Sequence, residues 1–198
     1  MRSRVRYMVL GWGSVGLVYL LTALFEWEGF LLSPTWVDHA IPFTPHAVWP
    51  YLSFFLIIPC AYLFCPFHRL RWLSLSMVFI AVAAGICYLV FPTTMEYPVD
   101  LGQSWSSYLL ERLMKTDTPR NCFPSLHAAL TVLSVWAMLD KKYPYRSFVF
   151  IVWGLLVCLS IIQLRRHLFP DLVSGTLLAL GVGYVCKKIN KPQTECQS

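Results

Sequence analysis

Trp72-Leu-Ser-Leu-Ser-Met-Val-Phe-Ile-Ala-Val-Ala-Ala-Gly-Ile-Cys-Tyr-Leu-Val-Phe91 runs its whole length without a charged residue, and its reading decides the fold class. A helix crosses the hydrocarbon core of a bilayer in about 20 residues. Lipid offers no partner to backbone N–H and C=O groups, so such a segment must be a helix that satisfies its own. Working outward, two more apolar runs precede it, Tyr7–Phe25 and Ala47–Cys65, and three follow, Phe123–Leu139, Ser147–Leu164 and Leu168–Cys186. The expectation is an all-α membrane protein, six transmembrane helices in one bundle spanning residues 1–198 as a single domain. Composition agrees: 57% of residues are hydrophobic and 13% charged, against roughly 25% charged in soluble domains, and the mean hydropathy is +0.58. A soluble domain could not hide so much apolar surface, and an aromatic content of 16% excludes disorder.

The net charge of +6 does not point to nucleic acid, because the basic residues sit at the ends of the apolar runs. With a cytoplasmic N-terminus, the inner side receives Arg2, Arg4, Arg6, Arg69, Arg71, Lys141, Lys142, Arg146, Lys187, Lys188 and Lys191. The outer side receives only Arg112, Lys115, Arg120, Arg165 and Arg166. This positive-inside split predicts cytoplasmic N- and C-termini. The acids lean the other way, with only Asp140 and Glu195 inside. Arg2, Arg4 and Arg6 precede the first run as they would a signal peptide. The run is nevertheless of full span length and no small-x-small cleavage site follows, so it reads as an anchor.

The inner connections, 66–71 and 140–146, are short and basic. Two outer loops are long. Residues 26–46 carry Trp27, Phe30, Trp36 and Phe43 among polar residues, the composition of a segment in the headgroup layer. Residues 92–122 end in a charged cluster of Glu111, Arg112, Lys115, Asp117 and Arg120. Both loops are expected to cover the active site.

Ionisable groups at the edge of a span are expensive, so their positions carry the functional information. Two clusters stand out: Arg120-Asn-Cys-Phe-Pro-Ser-Leu-His127 at the outer end of the fourth span, and Arg165-Arg166-His167-Leu-Phe-Pro-Asp171 at the outer end of the sixth. Topology puts both at one depth on one face. Pro124 suits the first position of a helix, which predicts free N–H groups and a positive dipole end near Ser125 and His127, an anion site. Pro170 places a second helix start near Leu168, with His167 at its lip. The four-residue step to Asp171 lets the carboxylate reach the His167 ring and fix its tautomer. Two histidines, a carboxylate, a serine and several arginines suit phosphoryl transfer, which needs a nucleophile, an acid for the leaving oxygen and positive charge on the phosphate oxygens. No Cys/His/Asp set has metal-ligand spacing and no glycine loop could cradle phosphate, so a metal-free, cofactor-free mechanism is expected.

Phe123-Pro-Ser-Leu-His127 followed by His167-x-x-x-Asp171 resembles the type 2 phosphatidic acid phosphatase superfamily of six-span membrane enzymes, with motifs K-x6-R-P, P-S-G-H and S-R-x5-H-x3-D. Ser160 stands where the third motif's serine belongs. Leu126 replaces the motif glycine, Ile161 the motif arginine, and Val90 and Tyr97-Pro98 stand for the first motif's lysine and Arg-Pro. Pro-Ser-Leu-His and the segment from Ile41 to Tyr51 look most like the branch of inositol phosphorylceramide synthases.

The resemblance implies a membrane-integral lipid phosphatase, facing the periplasm of a bacterial inner membrane or the lumen of an endomembrane. Its substrate is a lipid phosphate or diphosphate within the bilayer, and membrane lipids are its other partners. By position, His167 attacks phosphorus while Asp171 holds its ring. His127 protonates the leaving oxygen, and Ser125, Arg120, Arg165, Arg166 and Lys115 are the candidate phosphate ligands. Two alternatives remain: a lipid phosphotransferase with a lipid or polyol acceptor, and a non-catalytic protein retaining the fold. Plainer readings also stand beside the individual assignments. Ser125 reads as a helix-start hydrogen bonder, Arg165 and Arg166 as headgroup anchors, Lys115 as a solvated loop charge, and His39, His46 and His68 as interfacial residues. Trp12, Trp136 and Trp153 read as packing.

Overall fold

The computed structural model describes residues 1–25, 28–99, 102–116 and 120–190, so Glu26, Trp27, Asp117, Lys191 and Glu195 lie outside the described residues. The main elements in chain order are α1 (Arg2–Ala23), β1 (Phe30–Leu31), α2 (Trp36–Ala40), α3 (Val48–Leu52), α4 (Phe54–Phe64), α5 (Leu70–Val90), β2 (Thr93–Thr94), α6 (Trp105–Thr116), α7 (Leu126–Met138), α8 (Pro144–Gln163) and α9 (Phe169–Ile189). Among the described residues, five helical segments are long and apolar enough to cross a membrane: α1, Pro45–Phe64, Phe67–Val90, α8 and α9. The second is jointed at Ser53, whose hydroxyl donates to the Pro50 carbonyl and accepts from the Trp153 indole.

The run expected as the fourth span is the exception. It becomes helical only at Leu126 and ends at Met138, 13 residues, about 20 Å at 1.5 Å per residue against a hydrocarbon core of roughly 30 Å. It is also the central helix, packed against α4, α5, α8 and α9. Ala128, Ala129, Leu130, Leu133, Ala137 and Met138 are all buried, as expected for a helix apolar on all sides. Its approach to α9 depends on small residues. Gly175, Ala179 and Gly183 recur every fourth residue and are buried on α9. A Cβ at Gly175 would strike the Ser125 carbonyl, and one at Gly183 would lie 2.6 Å from the Trp136 ring. With no hydrophobic drive between helices in lipid, such close backbone contact is what holds them together.

The basic end of the bundle serves a structural purpose too. Helices leave their last carbonyls without partners, and arginines supply them. Arg4 donates to Tyr62 and Cys65 carbonyls at the end of α4, and Arg69 to Ala137 and Leu139 carbonyls at the end of α7. Arg146 reaches the Phe64 carbonyl. The N-terminus of α1 and the C-termini of α4 and α7 thus share one end, opposite to both histidine clusters.

At that opposite end the long loops are structured. β1 and β2 pair in parallel, Phe30 with Thr93 and Leu31 with Thr94. Thr94 also bridges Arg120, so three segments are tied into one small ladder. The second loop contains α6, an amphipathic helix. Its Leu110 is fully buried, whereas Trp105 is exposed. Ser106 on its inner face joins it to His46 and Trp49.

Candidate active site

The site exists because two helix starts are locked to each other by backbone. The N–H of Ser125 donates to the carbonyl of Asp171 at 3.1 Å. Ser125 is the N-cap of α7, and its hydroxyl accepts from the Ala128 N–H. Pro124 therefore lies two residues before the helix and not at its first position, as the sequence suggested. On α9 the expectation holds: Leu168 is the N-cap and Pro170 lies in the first turn. The first N–H groups there are taken by carboxylates. Leu168 N–H donates to Asp171 Oδ2 at 2.9 Å and Phe169 N–H to Asp38 Oδ1 at 2.8 Å. Anionic oxygens at a helix N-terminus both satisfy the orphan donors and oppose the dipole.

This arrangement puts the His127 and His167 rings 5.6 Å apart at 60°. His167 is 7% exposed, and its Nδ1 lies 3.6 Å from Oδ2 of the fully buried Asp171. That separation is longer than a hydrogen bond. It leaves Nε2 as the nitrogen not facing the carboxylate. His127 Nε2 meets the Tyr51 hydroxyl at 3.1 Å, and the Phe54 ring packs 4.5 Å from the His127 ring. Both histidines line a cavity of about 340 Å³, together with Arg120, Arg166, Tyr51 and Tyr97.

Its two arginines are positioned by different means. Arg120 is set by its bridge to Thr94 and by the strap that follows. In that strap the N–H groups of Cys122 and Phe123 both donate to Thr93 Oγ1, and Asn121, at φ 59°, donates from its side chain to Thr22. Arg166 stacks 4.5 Å over the Tyr97 ring and follows a tight turn at the end of α8. There Arg165 N–H donates to the Ile162 carbonyl and Arg166 N–H to the Ile161 carbonyl, the pattern of a Schellman helix stop. The left-handed residue that this stop requires is Arg165, at φ 53°, a position that usually falls to glycine.

Three expected phosphate ligands are not brought into the cavity. Arg165 turns away from the cavity, donating to the carbonyls of Asp38 at 2.6 Å and Ile41 at 2.9 Å; it clasps α2 and the following turn to the end of α8. Lys115 pairs with Glu111 one turn away at 2.6 Å on the exposed face of α6, holding that carboxyl below its usual range. Ser125 is completely buried, its hydroxyl oxygen accepts from Ala128 N–H as the α7 cap, and it does not line the cavity. Of the positions where family motif residues are replaced, Val90 is 77% exposed on the outside of the bundle and Ile161 is buried in the core. Ser160 bonds within its own helix. Tyr97 and Leu126, the latter standing for the motif glycine, line the cavity.

Other residues were not singled out for the site by the sequence. Tyr51 reaches His127 from a different helix, which spacing cannot reveal. Trp12, read as packing, lines the cavity. Asp38 did have a signal: Thr35-Trp-Val-Asp38 is a capping box, in which Asp38 Oδ2 accepts from the Thr35 N–H and hydroxyl. Its other oxygen is then left to cap α9. Among the described residues, no group of three or more His, Cys, Asp or Glu side chains is placed to hold a metal ion.

No curated protein matches the sequence. Residues 88–195 match the family model of the PAP2 superfamily. That is more than half of the chain, and it runs from the end of α5 through both histidine clusters. This integral membrane protein belongs to the PAP2 superfamily.

Proposed function

We propose that the protein is a lipid phosphatase that removes phosphate from a membrane-embedded lipid phosphate or diphosphate through a phosphohistidine. The observation that carries this reading is the pair of histidines 5.6 Å apart in one cavity, with Asp171 behind one of them and Arg120 and Arg166 on the wall. His167 attacks phosphorus through Nε2, forming a P–N bond as the P–O bond to the lipid breaks. His127 gives its proton to the departing oxygen. It then takes one from water, whose oxygen attacks phosphorus and frees His167 and inorganic phosphate. Arg120 and Arg166 stabilise the charge on the equatorial oxygens. Neither step calls for a metal.

The positive-inside split supports six membrane segments with both termini cytoplasmic. In that arrangement α7 is the short, protein-enclosed fourth segment, and the cavity faces a periplasm or lumen. A bacterial inner membrane is the proposed location. Pro-Ser-Leu-His supports kinship with the inositol phosphorylceramide synthase branch, in which an alcohol would replace water.

The deciding experiment is phosphate release by the purified protein from a panel of lipid phosphates and diphosphates, with and without lipid or polyol acceptors, in excess chelator. Release without acceptor supports the hydrolase. A new phospholipid formed only with acceptor supports the transferase. Activity lost in chelator and restored by a divalent ion overturns the metal-free chemistry, and no turnover under any condition leaves a non-catalytic member of the fold.

A further inference from the structure

The end of the bundle opposite to the histidines holds a second cavity. α7 ends two residues beyond Trp136, whereas α9 continues for six residues beyond Gly183, against which the Trp136 ring packs. At this step lies a hollow of about 410 Å³, walled by His68, Arg69, Trp72, Trp136, Lys187 and Asn190. Its two indoles are fixed in place. They pack edge to face with ring centroids 5.1 Å apart, and the Trp72 N–H donates to the Gly183 carbonyl at 2.7 Å.

The cations of the hollow are not used up by the protein. Arg69 bonds the end of α7 through Nη1 alone, so its Nε and Nη2 make no hydrogen bond among the described residues. Lys187 is exposed, 5.9 Å from the Trp136 ring, and pairs with no carboxylate among the described residues. Asp140, just beyond α7, is paired with Arg146 at 3.4 Å. Basic residues at helix ends ordinarily offset the dipole, and two helices end here, each contributing about −0.5 charge. Arg69 and Lys187 bring two full positive charges, so the hollow stays net positive.

The hollow also has an apolar extension. Trp136 and Leu139 line a second space, a groove of about 400 Å³ along the flank of α7. It climbs from Leu139 to Thr131, about 12 Å at 1.5 Å per residue, between Leu155 and Cys158 of α8 and Leu180 of α9. Leu155 and Leu180 are exposed on the outside of the bundle. A cationic hollow that opens into an apolar groove suits a molecule with an anionic head and an aliphatic chain. A free anion would leave the groove without purpose.

We propose that the hollow between α5, α7 and α9 binds the phosphate of an anionic phospholipid that is not the substrate, with one acyl chain in the groove along α7. Arg69 and Lys187 hold the phosphate oxygens, and the two indoles flank the glycerol, as aromatic side chains do at the membrane interface. Basic pockets between membrane helices suit such head groups. The lipid ties the ends of α7 and α9, the helices that carry His127 and Asp171, and so stabilises the folded bundle. The site is separate from the histidine cavity and does not rest on the phosphatase reading.

The test is thermal unfolding of the purified protein in dodecyl maltoside, titrated with dioleoyl phosphatidylglycerol, dioleoyl phosphatidylcholine or sn-glycerol 3-phosphate. The chains compared are the wild type, Lys187→Gln, Lys187→Glu and Lys188→Gln. Lys188 is the control of equal charge, exposed over the Tyr184 ring and outside the lining of the hollow. Tm should rise saturably with phosphatidylglycerol and with neither of the other two. The concentration giving half the rise should increase about fivefold in Lys187→Gln, the worth of one lysine near an anionic head group. It should increase about twenty-five-fold in Lys187→Glu, which changes the charge by two, and stay at the wild-type value in Lys188→Gln. An equal rise with phosphatidylcholine overturns the proposal, and so does one with glycerol phosphate, which would mark a site for soluble anions. An equal change in Lys188→Gln overturns it in favour of diffuse surface charge. Phosphatidylglycerol bound in the histidine cavity would shift all four chains alike, which also overturns it. Should Lys187→Glu fail to fold, Lys187→Gln against Lys188→Gln decides. Phosphate release is read separately, so a chain that binds the lipid without turnover keeps this site and loses the phosphatase reading.

Discussion

The backbone N–H of Ser125 donates to the carbonyl of Asp171 at 3.1 Å, and this single bond joins two helix starts 46 positions apart in the chain. It is possible only because Gly175, one turn into α9, presents no side chain to the Ser125 carbonyl. Gly175→Val should therefore push α9 off the start of α7. Overpacking of this kind costs about 1–3 kcal/mol, read as a lowered Tm in detergent. The separation of His127 from His167 should also remove phosphate release. A variant with wild-type Tm and turnover would show that the two helix starts are not held by this contact.

The two neighbouring arginines should behave differently. Arg166 lines the cavity, whereas Arg165 bonds the Asp38 and Ile41 carbonyls. Arg166→Ala and Arg120→Ala are expected to lower kcat by about 10²–10³, the usual loss for one donor to a charged transition state. Arg165→Gly relieves a left-handed residue while breaking the clasp, so its effect on turnover should be small. Arg165→Ala keeps the strained backbone and should be less stable than Arg165→Gly by about 1 kcal/mol. Phosphate-release kinetics and thermal unfolding on the four variants check this, and a loss in Arg165→Gly as large as in Arg166→Ala would return Arg165 to the phosphate.

The histidine roles separate by leaving group. His167→Ala should abolish turnover and any labelled phosphoenzyme. Asp171→Asn should slow turnover by about 10²–10⁴, as loss of the orienting carboxylate does in triad enzymes. It retains an oxygen to cap Leu168. His127→Ala should be rescued by nitrophenyl phosphate, whose leaving group needs no proton, and activity against pH should be bell-shaped because the two roles require opposite protonation states. Equal responses of both histidine variants to the activated ester would overturn the assignment.

The Tyr51 hydroxyl meets His127 Nε2 at 3.1 Å, and on the proposed mechanism it should act on the reaction through that histidine. Tyr51→Phe removes that hydrogen bond while keeping the ring that fills the core. The expected result is a loss of about tenfold with a lipid phosphate, within the usual range for one hydrogen bond to a group that becomes charged, and little change with nitrophenyl phosphate. The pH profile should move on the limb that reports His127. A uniform loss with both substrates and an unmoved profile would reduce Tyr51 to packing.

Orientation is tested by labelling intact cells with an impermeant thiol reagent. Gln103 beside α6 and Lys141 in the connection before α8 are both exposed, at opposite ends of the bundle. A cysteine at Gln103 should be modified and one at Lys141 spared. The reverse pattern would place the cavity in the cytoplasm.

Amino-acid order alone determined the features that depend on local composition. Uncharged runs of span length become helices in lipid whatever they pack against, because the backbone has no other way to satisfy its polar groups. The spacing of the apolar runs already suggested that the two histidine clusters meet, whereas His167 precedes α9 and its approach to Asp171 is set by the turn before that helix. Tertiary structure decided what depends on direction. Arg165 and Arg166 are adjacent in sequence, yet a left-handed residue at a helix stop sends one side chain to α2 and the other into the cavity. Ser125 looked like a phosphate ligand because its type suits one, but its hydroxyl oxygen is buried as the α7 cap and lies outside the cavity lining. Tyr51 and Asp38 reach the site from other segments, and α7 begins only after its Ser125 cap and ends at the extended Leu139. None of these is a property of a residue's neighbours along the chain. Each is set by which backbone groups another segment has already satisfied.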